Sequence, residues 1–156
     1  MRFIFALLMF FLPLQLLAAD TMPKHCRPLK VAVEPFAPGS KTPALLFIRN
    51  HSSTDLWITH PVTNPGASAG FSSRLMPGQW SALALNKPKF AISCIESIPG
   101  HEQQVPCEGV IDACMMKKVT FPENLSGTFW AGEDMALGAL IDYLGSRGIR
   151  LPADAR

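Results

Sequence analysis

The sequence predicts a mainly β protein: an antiparallel β-sandwich, immunoglobulin-like or cupredoxin-like, with one C-terminal α-helix and two disulfides. Three observations predict this fold. Short runs of β-branched and aromatic residues recur about every ten residues and are separated by Pro, Gly, Asn and Ser clusters, as in sandwiches. One segment near the C-terminus has helical periodicity instead. Finally, the chain has four cysteines, an even number, downstream of an apolar N-terminal segment typical of exported proteins.

Five of the β-type runs are clear enough to be predicted as strands. Several of them alternate apolar and polar residues, as a strand with one buried face does. No helical pattern separates the runs, which favours antiparallel pairing between neighbours. The predicted strands are LKVAV from Leu29, ALLFIRN from Ala44, LWITH from Leu56, WSALAL from Trp80 and FAISCIE from Phe90.

The segment CIESIPGHEQQVPC, from Cys94 to Cys107, predicts a hairpin, with a metal-binding loop as the alternative. Pro presets one turn torsion and Gly permits a positive φ, so Pro99–Gly100 marks the turn. Folding the flanks back around a PGHE turn places Cys94 directly opposite Cys107, within disulfide reach. Cys26 would then pair with Cys114, although four cysteines allow three connectivities and the sequence alone does not select one.

The C-terminal segment GEDMALGALIDYLGSRGI predicts a helix over about residues 133–147. Glu133 and Asp134 would lie at the positive end of the helix dipole. Gly148 is the expected stop, with Ile149 packing back in a Schellman arrangement. We expect the helix to bury an apolar stripe against the sandwich; the stripe consists of Leu137, Leu140, Ile141 and Leu144.

Residues 1–19 predict a signal peptide, and residues 20–156 a single disulfide-stabilised domain. One Arg precedes an apolar run from Phe3 to Leu12, which is shorter than the roughly 20 residues of a spanning helix. Cleavage is expected after Ala19, with an uncleaved anchor as the alternative because Leu17 stands where a smaller residue is usual. No second long apolar run follows, so no membrane span is expected in the mature chain. A periplasmic or secreted location follows from this interpretation.

The chain has 14 Lys and Arg residues against 12 Asp and Glu, and neither sign is clustered. This balance does not favour nucleic acid as a partner. Nor does the sequence contain a nucleophile elbow, a His-Glu-x-x-His motif or a phosphate-binding Gly loop, so no enzyme activity is expected. Four acidic residues could form a hydrolytic pair but are expected to be a solvated rim: Glu96, Glu102, Glu108 and Asp112.

Copper is the metal alternative, because imidazole and thioether ligands suit it. His101 and Met115 would be the candidate ligands. Against this, Met115 and Met116 are adjacent and should point to opposite faces of a strand. Cysteines in disulfides also lack the thiolate that a metal needs. The primary expectation is therefore no metal and no cofactor.

The sequence from Phe90 to Phe121, FAISCIESIPGHEQQVPCEGVIDACMMKKVTF, is preceded by LMPGQWSALAL and followed by GTFWAGEDMALGALIDYLGSRGI. Together these segments resemble the enhanced entry protein EnhB family of small exported proteins in intracellular bacterial pathogens. The resemblance rests on the Cys, Pro-Gly and Trp landmarks within about residues 71–151. It implies a periplasmic or secreted protein associated with uptake by host cells, and it implies no active site.

These observations together predict an exported, non-catalytic protein that binds an unknown protein partner in the envelope or on a host cell. Sandwiches usually present binding residues on loops held by rigid strands. The candidate loops are HPVTNPGASAG and IPGHEQQ, and the candidate contact residues are His60, Asn64, His101 and Glu102. A periplasmic copper-binding or other metal-binding protein is the second interpretation.

Overall fold

The computed structural model describes residues 21–31, 43–59, 72–86, 90–116, 118–125 and 127–156. The predicted signal peptide, His60 and Asn64 lie outside these residues. Within them the chain forms nine strands, one 3₁₀ turn at Cys107–Gly109 and one α-helix, α1, at Leu137–Ser146. The strands are β1 Cys26–Leu29, β2 Ala44–Asn50, β3 Leu56–Thr59, β4 Ser72–Leu75, β5 Trp80–Leu85, β6 Ser93–Ile98, β7 His101–Val105, β8 Ile111–Met116 and β9 Phe129–Met135.

The strands form two antiparallel sheets, which confirms the predicted fold class. The five-stranded sheet has the order β1-β8-β2-β5-β9, and the four-stranded sheet has the order β4-β3-β6-β7. The predictions for β2 and β5 are confirmed to the residue. The predicted strand from Leu29 is wrong in position, because β1 ends at that residue.

The five-stranded sheet is buried on both faces. One face packs against the four-stranded sheet in a core that includes Ile48, Leu83 and Ile58. The other face packs against α1 in a second core that includes Phe47 and Leu140. The molecule therefore has three layers: helix, five-stranded sheet and four-stranded sheet. Within the described residues, no helix is long and apolar enough to span a membrane.

The helix is shorter at its start than predicted. Glu133 and Asp134 belong to β9, and α1 begins only at Leu137, so the dipole interpretation of these acids is wrong. Asp134 has φ 52° at an irregular point of the β5–β9 pairing, and its carboxylate accepts a hydrogen bond of 2.7 Å from the Met76 amide. Both acids therefore belong to a strand, and sequence pattern alone does not distinguish this from a helix start.

The predicted end of α1 is confirmed. Gly148 has φ 77°, and its amide donates to the carbonyl of Gly145 over 3.0 Å. The Ile149 amide donates to the carbonyl of Leu144, also over 3.0 Å, which completes a Schellman motif. Ile149 is buried in the helix-side core. The expected apolar contact that accompanies this motif is therefore present.

Both predicted disulfides are present: Cys26–Cys114 and Cys94–Cys107. The register used to predict the second bond is wrong by two residues, because Cys94 lies opposite Val105. Ile98 faces His101, so the turn contains only Pro99 and Gly100. A shift of two residues keeps side chains on the same face. Cys107 still reaches Cys94, from the 3₁₀ turn, with 5.2 Å between their Cα atoms.

Candidate functional site

Three connections meet at one end of the sandwich, which we call the loop end: residues 51–55, residues 76–79 and the β6–β7 turn. Backbone hydrogen bonds join them. The Gly78 amide donates to the Asn50 carbonyl over 2.8 Å, and the Ser97 amide donates to the Asp55 carbonyl over 2.9 Å. The loop end is therefore a continuous surface made by segments that are far apart in sequence.

Asn50 organises this surface from inside. Its side chain is fully buried, and its amide nitrogen donates to the carbonyls of Thr54 and Leu75 over 2.7 and 2.8 Å. Its side-chain oxygen accepts from the amide and hydroxyl of Ser52 over 2.9 and 2.7 Å. A buried amide with both donor hydrogens and both acceptor positions used is stabilising rather than costly. Asn50 thus fixes residues 51–55 against the end of β4.

Polar pairs continue the same surface across the four-stranded sheet. Arg74 Nε donates to Asp55 Oδ2 over 3.0 Å, and the Thr54 hydroxyl donates to Glu96 Oε1 over 3.2 Å. The hydrogen bond to Asp55 and the negative charge of that carboxylate raise the pKa of Arg74. These pairs hold residues 54 and 55 to β4 and β6.

Two large apolar side chains are exposed at the loop end. Ile98 is 43% exposed and Met76 is 39% exposed. Among the described residues the other exposed large hydrophobic side chain is Tyr143, on α1. Since Leu75 faces Leu56 and Leu56 faces Glu96, the backbone at Met76 and the backbone at Ile98 lie about two strand spacings apart, roughly 10 Å. Exposed apolar residues close together mark interaction surfaces more often than single ones do.

The β6–β7 hairpin carries His101 opposite Ile98, and Glu102 opposite Ser97. Gly100 has φ 80° after Pro99, the combination that a type II turn requires. Residues 101–104 are all exposed. The Cys94–Cys107 disulfide ties the base of the hairpin together. A short turn at one end and a covalent bond at the other hold these side chains in a defined position.

Thr59, the last described residue before HPVTNPGASAG, and the IPGHEQQ turn lie at opposite ends of the four-stranded sheet. Thr59, which precedes His60, lies opposite Ser93 at the start of β6. His101 lies opposite Ile98 at the end of β6. Five residues of extended strand span roughly 17 Å. The described structure therefore associates His101 and Glu102 with the loop end and does not associate the start of the other loop with it.

The candidate metal ligands are not brought together. Met115 is buried in the core between the two sheets, whereas His101 is exposed on β7. Met116 lies in the helix-side core, which confirms that the two methionines point to opposite faces. The described part of the chain contains no group of three or more His, Cys, Asp or Glu residues arranged to hold a metal ion.

The other described histidines pair with carboxylates. His25 Nε2 lies 2.9 Å from Asp154 Oδ1. His51 Nδ1 lies 3.3 Å from Asp112 Oδ1, while its Nε2 lies 3.1 Å from the Gly109 carbonyl. The His51 ring thus connects the end of β2 to the 3₁₀ turn and β8. Both arrangements join segments of the chain, a structural role.

A cleft of about 580 Å³ lies between β1, the 3₁₀ turn and β8. Glu108 and Asp112 both line it, together with Lys30 and apolar residues that include Leu29 and Ile111. Of the four acidic residues considered for hydrolysis, these two therefore share one site. Glu96 and Glu102 lie on other strands, β6 and β7. The cleft mixes one positive and two negative side chains with an apolar lining.

Comparisons with protein-family models, with curated proteins and with solved structures found no match for this chain. The resemblance to the EnhB family therefore remains an interpretation of the sequence.

Sequence reasoning identified the IPGHEQQ loop, which begins at Ile98, and named His101 and Glu102 in it; it did not name Ile98 or Met76 as contact residues, and it missed the role of Asn50. Met76 and Ile98 resemble ordinary core residues in a sequence, because both are large and apolar and lie at or next to the end of a strand. Their position next to the MPGQ and PG turn signals was the available indication that they lie at strand ends, where exposure is common.

Proposed function

We propose that this is an extracytoplasmic, non-catalytic binding protein that contacts a partner protein through its loop end. The observation that carries the proposal is the exposure of Met76 and Ile98 on a surface whose backbone is fixed. Apolar side chains surrounded by polar ones are the usual composition of a protein-binding patch. The polar surround here is provided by Asp55, His101 and Glu102.

Rigidity supports this interpretation. Ordering a loop on binding costs free energy, so a surface that is already ordered retains more of its contact energy as affinity. The buried Asn50 hydrogen bonds and the Cys94–Cys107 disulfide supply that order before a partner arrives. A pre-ordered surface of this kind increases binding affinity, and it needs no reactive group to do so.

The proposed compartment is the periplasm or the exterior of the cell. Disulfides form and persist in oxidising compartments, and this chain has two. The N-terminal sequence supports export, and the resemblance to the EnhB family supports a role in uptake by host cells. The partner would then be a protein of the bacterial envelope or of the host-cell surface.

The test compares capture by matched variants. The mature protein is immobilised, cross-linked separately to envelope and host-surface fractions, and bound proteins are separated by mass. The test variant is Met76→Ser with Ile98→Ser, and the control is Asp142→Ala, an exposed position on α1. A partner band that the wild type and the control retain, and that the double variant loses at an unchanged Tm, is the expected result.

A second variant separates the apolar contact from the polar one. His101→Ala with Glu102→Ala should weaken the same band, because His101 lies opposite Ile98 and Glu102 is the next exposed residue of β7. If every variant captures the band equally, or if a variant with His60→Ala and Asn64→Ala is the only one to lose it, the loop end is not the binding surface.

A further inference from the structure

The outer edges of the two sheets differ in how they are protected. An exposed edge strand presents unpaired backbone donors and acceptors, and proteins usually block it with Pro, Lys, bulges or a covering segment. β1 has four residues and includes Pro28. β4 and β9 contact each other, so the two sheets meet on that side. β7 has the sequence HEQQV, which contains no Pro or Lys and a single charged residue, Glu102, and among the described strands it pairs only with β6.

The register of the hairpin determines which backbone groups of β7 point outward. In a hairpin with a two-residue turn, the residues flanking the turn form a hydrogen-bonded pair, and such pairs then alternate along the ladder. Ile98 and His101 flank the turn here. His101, Gln103 and Val105 therefore bond to β6, whereas the amides and carbonyls of Glu102 and Gln104 face the open edge.

We infer that β7 pairs with β7 of a second copy of this chain, antiparallel and about a two-fold axis at Gln103. In this register Glu102 lies opposite Gln104 of the second copy. By symmetry, Gln104 lies opposite Glu102 of the second copy. These are the residues whose backbone groups face outward, so the pairing makes four hydrogen bonds. The two four-stranded sheets become one continuous sheet of eight strands.

Charge selects this register over its neighbour. Shifting the pairing by two residues toward the turn places Glu102 opposite Glu102 of the second copy, and like charges directly opposite each other are destabilising. Shifting it the other way leaves a single outward-facing pair, at Gln104. The register centred on Gln103 avoids facing carboxylates and uses every outward-facing backbone group of β7.

The area of the β7–β7 contact determines how stable the dimer is expected to be. Five paired residues give an interface smaller than the roughly 1,200 Å² of total buried area that stable complexes need. We therefore expect a reversible dimer whose population rises with concentration between about 1 µM and 1 mM. The antiparallel arrangement directs the two loop ends in opposite directions, so the proposed partner surface does not depend on this inference.

The first test is sedimentation equilibrium of the mature, oxidised protein across that concentration range. We expect the mean mass to rise toward the dimer for the wild type and for Asp142→Ala. We expect Gln104→Pro to stay monomeric, because proline removes an outward-facing amide and leaves the inner ladder to β6 intact. A wild type that is monomeric at the highest concentration overturns the inference, and so does a Gln104→Pro variant that dimerises like the wild type.

The second test does not depend on the folding of a proline variant. Residues opposite each other at a non-hydrogen-bonded antiparallel pair have Cα atoms about 4.5 Å apart, which is within the range for a disulfide. Gln103→Cys should therefore form a covalent dimer faster than Asp142→Cys under mild oxidation. Peptide mapping should locate the new bond between the two copies of position 103. Equal dimer yields from the two variants, or a bond at another position, would overturn the proposed register.

Discussion

The two sheets are built from the same kind of strand but differ in what covers them. In the five-stranded sheet, all six residues of β5 are buried, because α1 covers one face and the other sheet covers the opposite face. In the four-stranded sheet, β3 and β4 alternate buried and accessible residues, so one face is left to solvent. The first sheet therefore serves mainly stability, and the second provides the accessible face, edge and loop end.

The largest expected difference between the sheets is in the free energy of unfolding that is lost when a large side chain is removed. Phe47→Ala removes a fully buried ring from the helix-side core, and such substitutions cost about 3–5 kcal/mol. Trp57→Ala removes a half-buried ring from β3 and should cost less than half as much. Chemical denaturation of both variants measures the two free energies of unfolding. Similar losses would mean that the four-stranded sheet is covered on both faces after all.

The two disulfides extend the comparison, since Cys26–Cys114 joins two strands of the five-stranded sheet and Cys94–Cys107 joins β6 of the other sheet to the 3₁₀ turn. Cys26–Cys114 closes a separation of 88 residues and Cys94–Cys107 one of 13. In the chain-entropy model this difference amounts to about 1.6 kcal/mol in favour of the longer loop. Cys26→Ala with Cys114→Ala should therefore lower stability more than Cys94→Ala with Cys107→Ala.

Unfolding of these two double variants under identical buffer conditions gives the comparison directly. If the short-loop variant is the less stable one, the hairpin contributes more to the folded state than its loop length indicates.

A smaller effect tests how closely the helix covers the five-stranded sheet. A Cβ at Gly132 on β9 would overlap Leu140 Cδ1 and lie 3.2 Å from Tyr143 Cδ1. Gly132→Ala should therefore destabilise the protein by about 1–3 kcal/mol through overpacking. Gly138, on α1, has nothing within 4 Å of an added Cβ. Gly138→Ala should be neutral or stabilise by up to about 1 kcal/mol. Thermal melts that rank these two variants in the opposite order would refute the close packing of α1 on β9.

The smallest expected effect concerns the exposed pair that joins the start of β1 to the C-terminus. The hydrogen bond from His25, together with a backbone hydrogen bond and nearby positive charge, lowers the pKa of Asp154. A lowered carboxyl pKa contributes stability above the unfolded pKa, near 3.9, and this contribution is lost as pH falls through the folded pKa. NMR titration should show the Asp154 pKa rising in His25→Ala. An unchanged value would show that the pair does not form in solution.

Several elements could be predicted from local pattern alone. ALLFIRN and WSALAL form strands because their composition fits a pleated, buried surface. The end of α1 follows from Gly148, since a left-handed residue is needed there, and from Ile149, which the motif carries back to the core. The turn at Pro99–Gly100 favoured a Cys94–Cys107 bond, which is the observed one, although the register used to predict it was wrong by two residues. In each case the determining interaction lies within a few residues, or within one hairpin.

Other elements required the tertiary structure. Ser72–Leu75 contains two serines and an arginine, yet it forms β4 because β3 offers a partner. Glu133 and Asp134 fit a helix start by composition, but pairing with β5 places them in β9. Long-range pairing thus overrides local preference where the local preference is weak.

The features of the candidate site also fall into those that local sequence determines and those that depend on the tertiary structure. The turn at Pro99–Gly100 determined by itself that His101 and Glu102 would be exposed near a hairpin tip, because torsional preferences act locally. Only the tertiary structure decided that Asn50 is buried, that Met76 and Ile98 are exposed at the same end of the sandwich, and that β7 is at the edge of the described four-stranded sheet. Each of these depends on which distant segments meet. That choice is made by the burial of whole sheet faces, a free energy that belongs to no single stretch of the sequence.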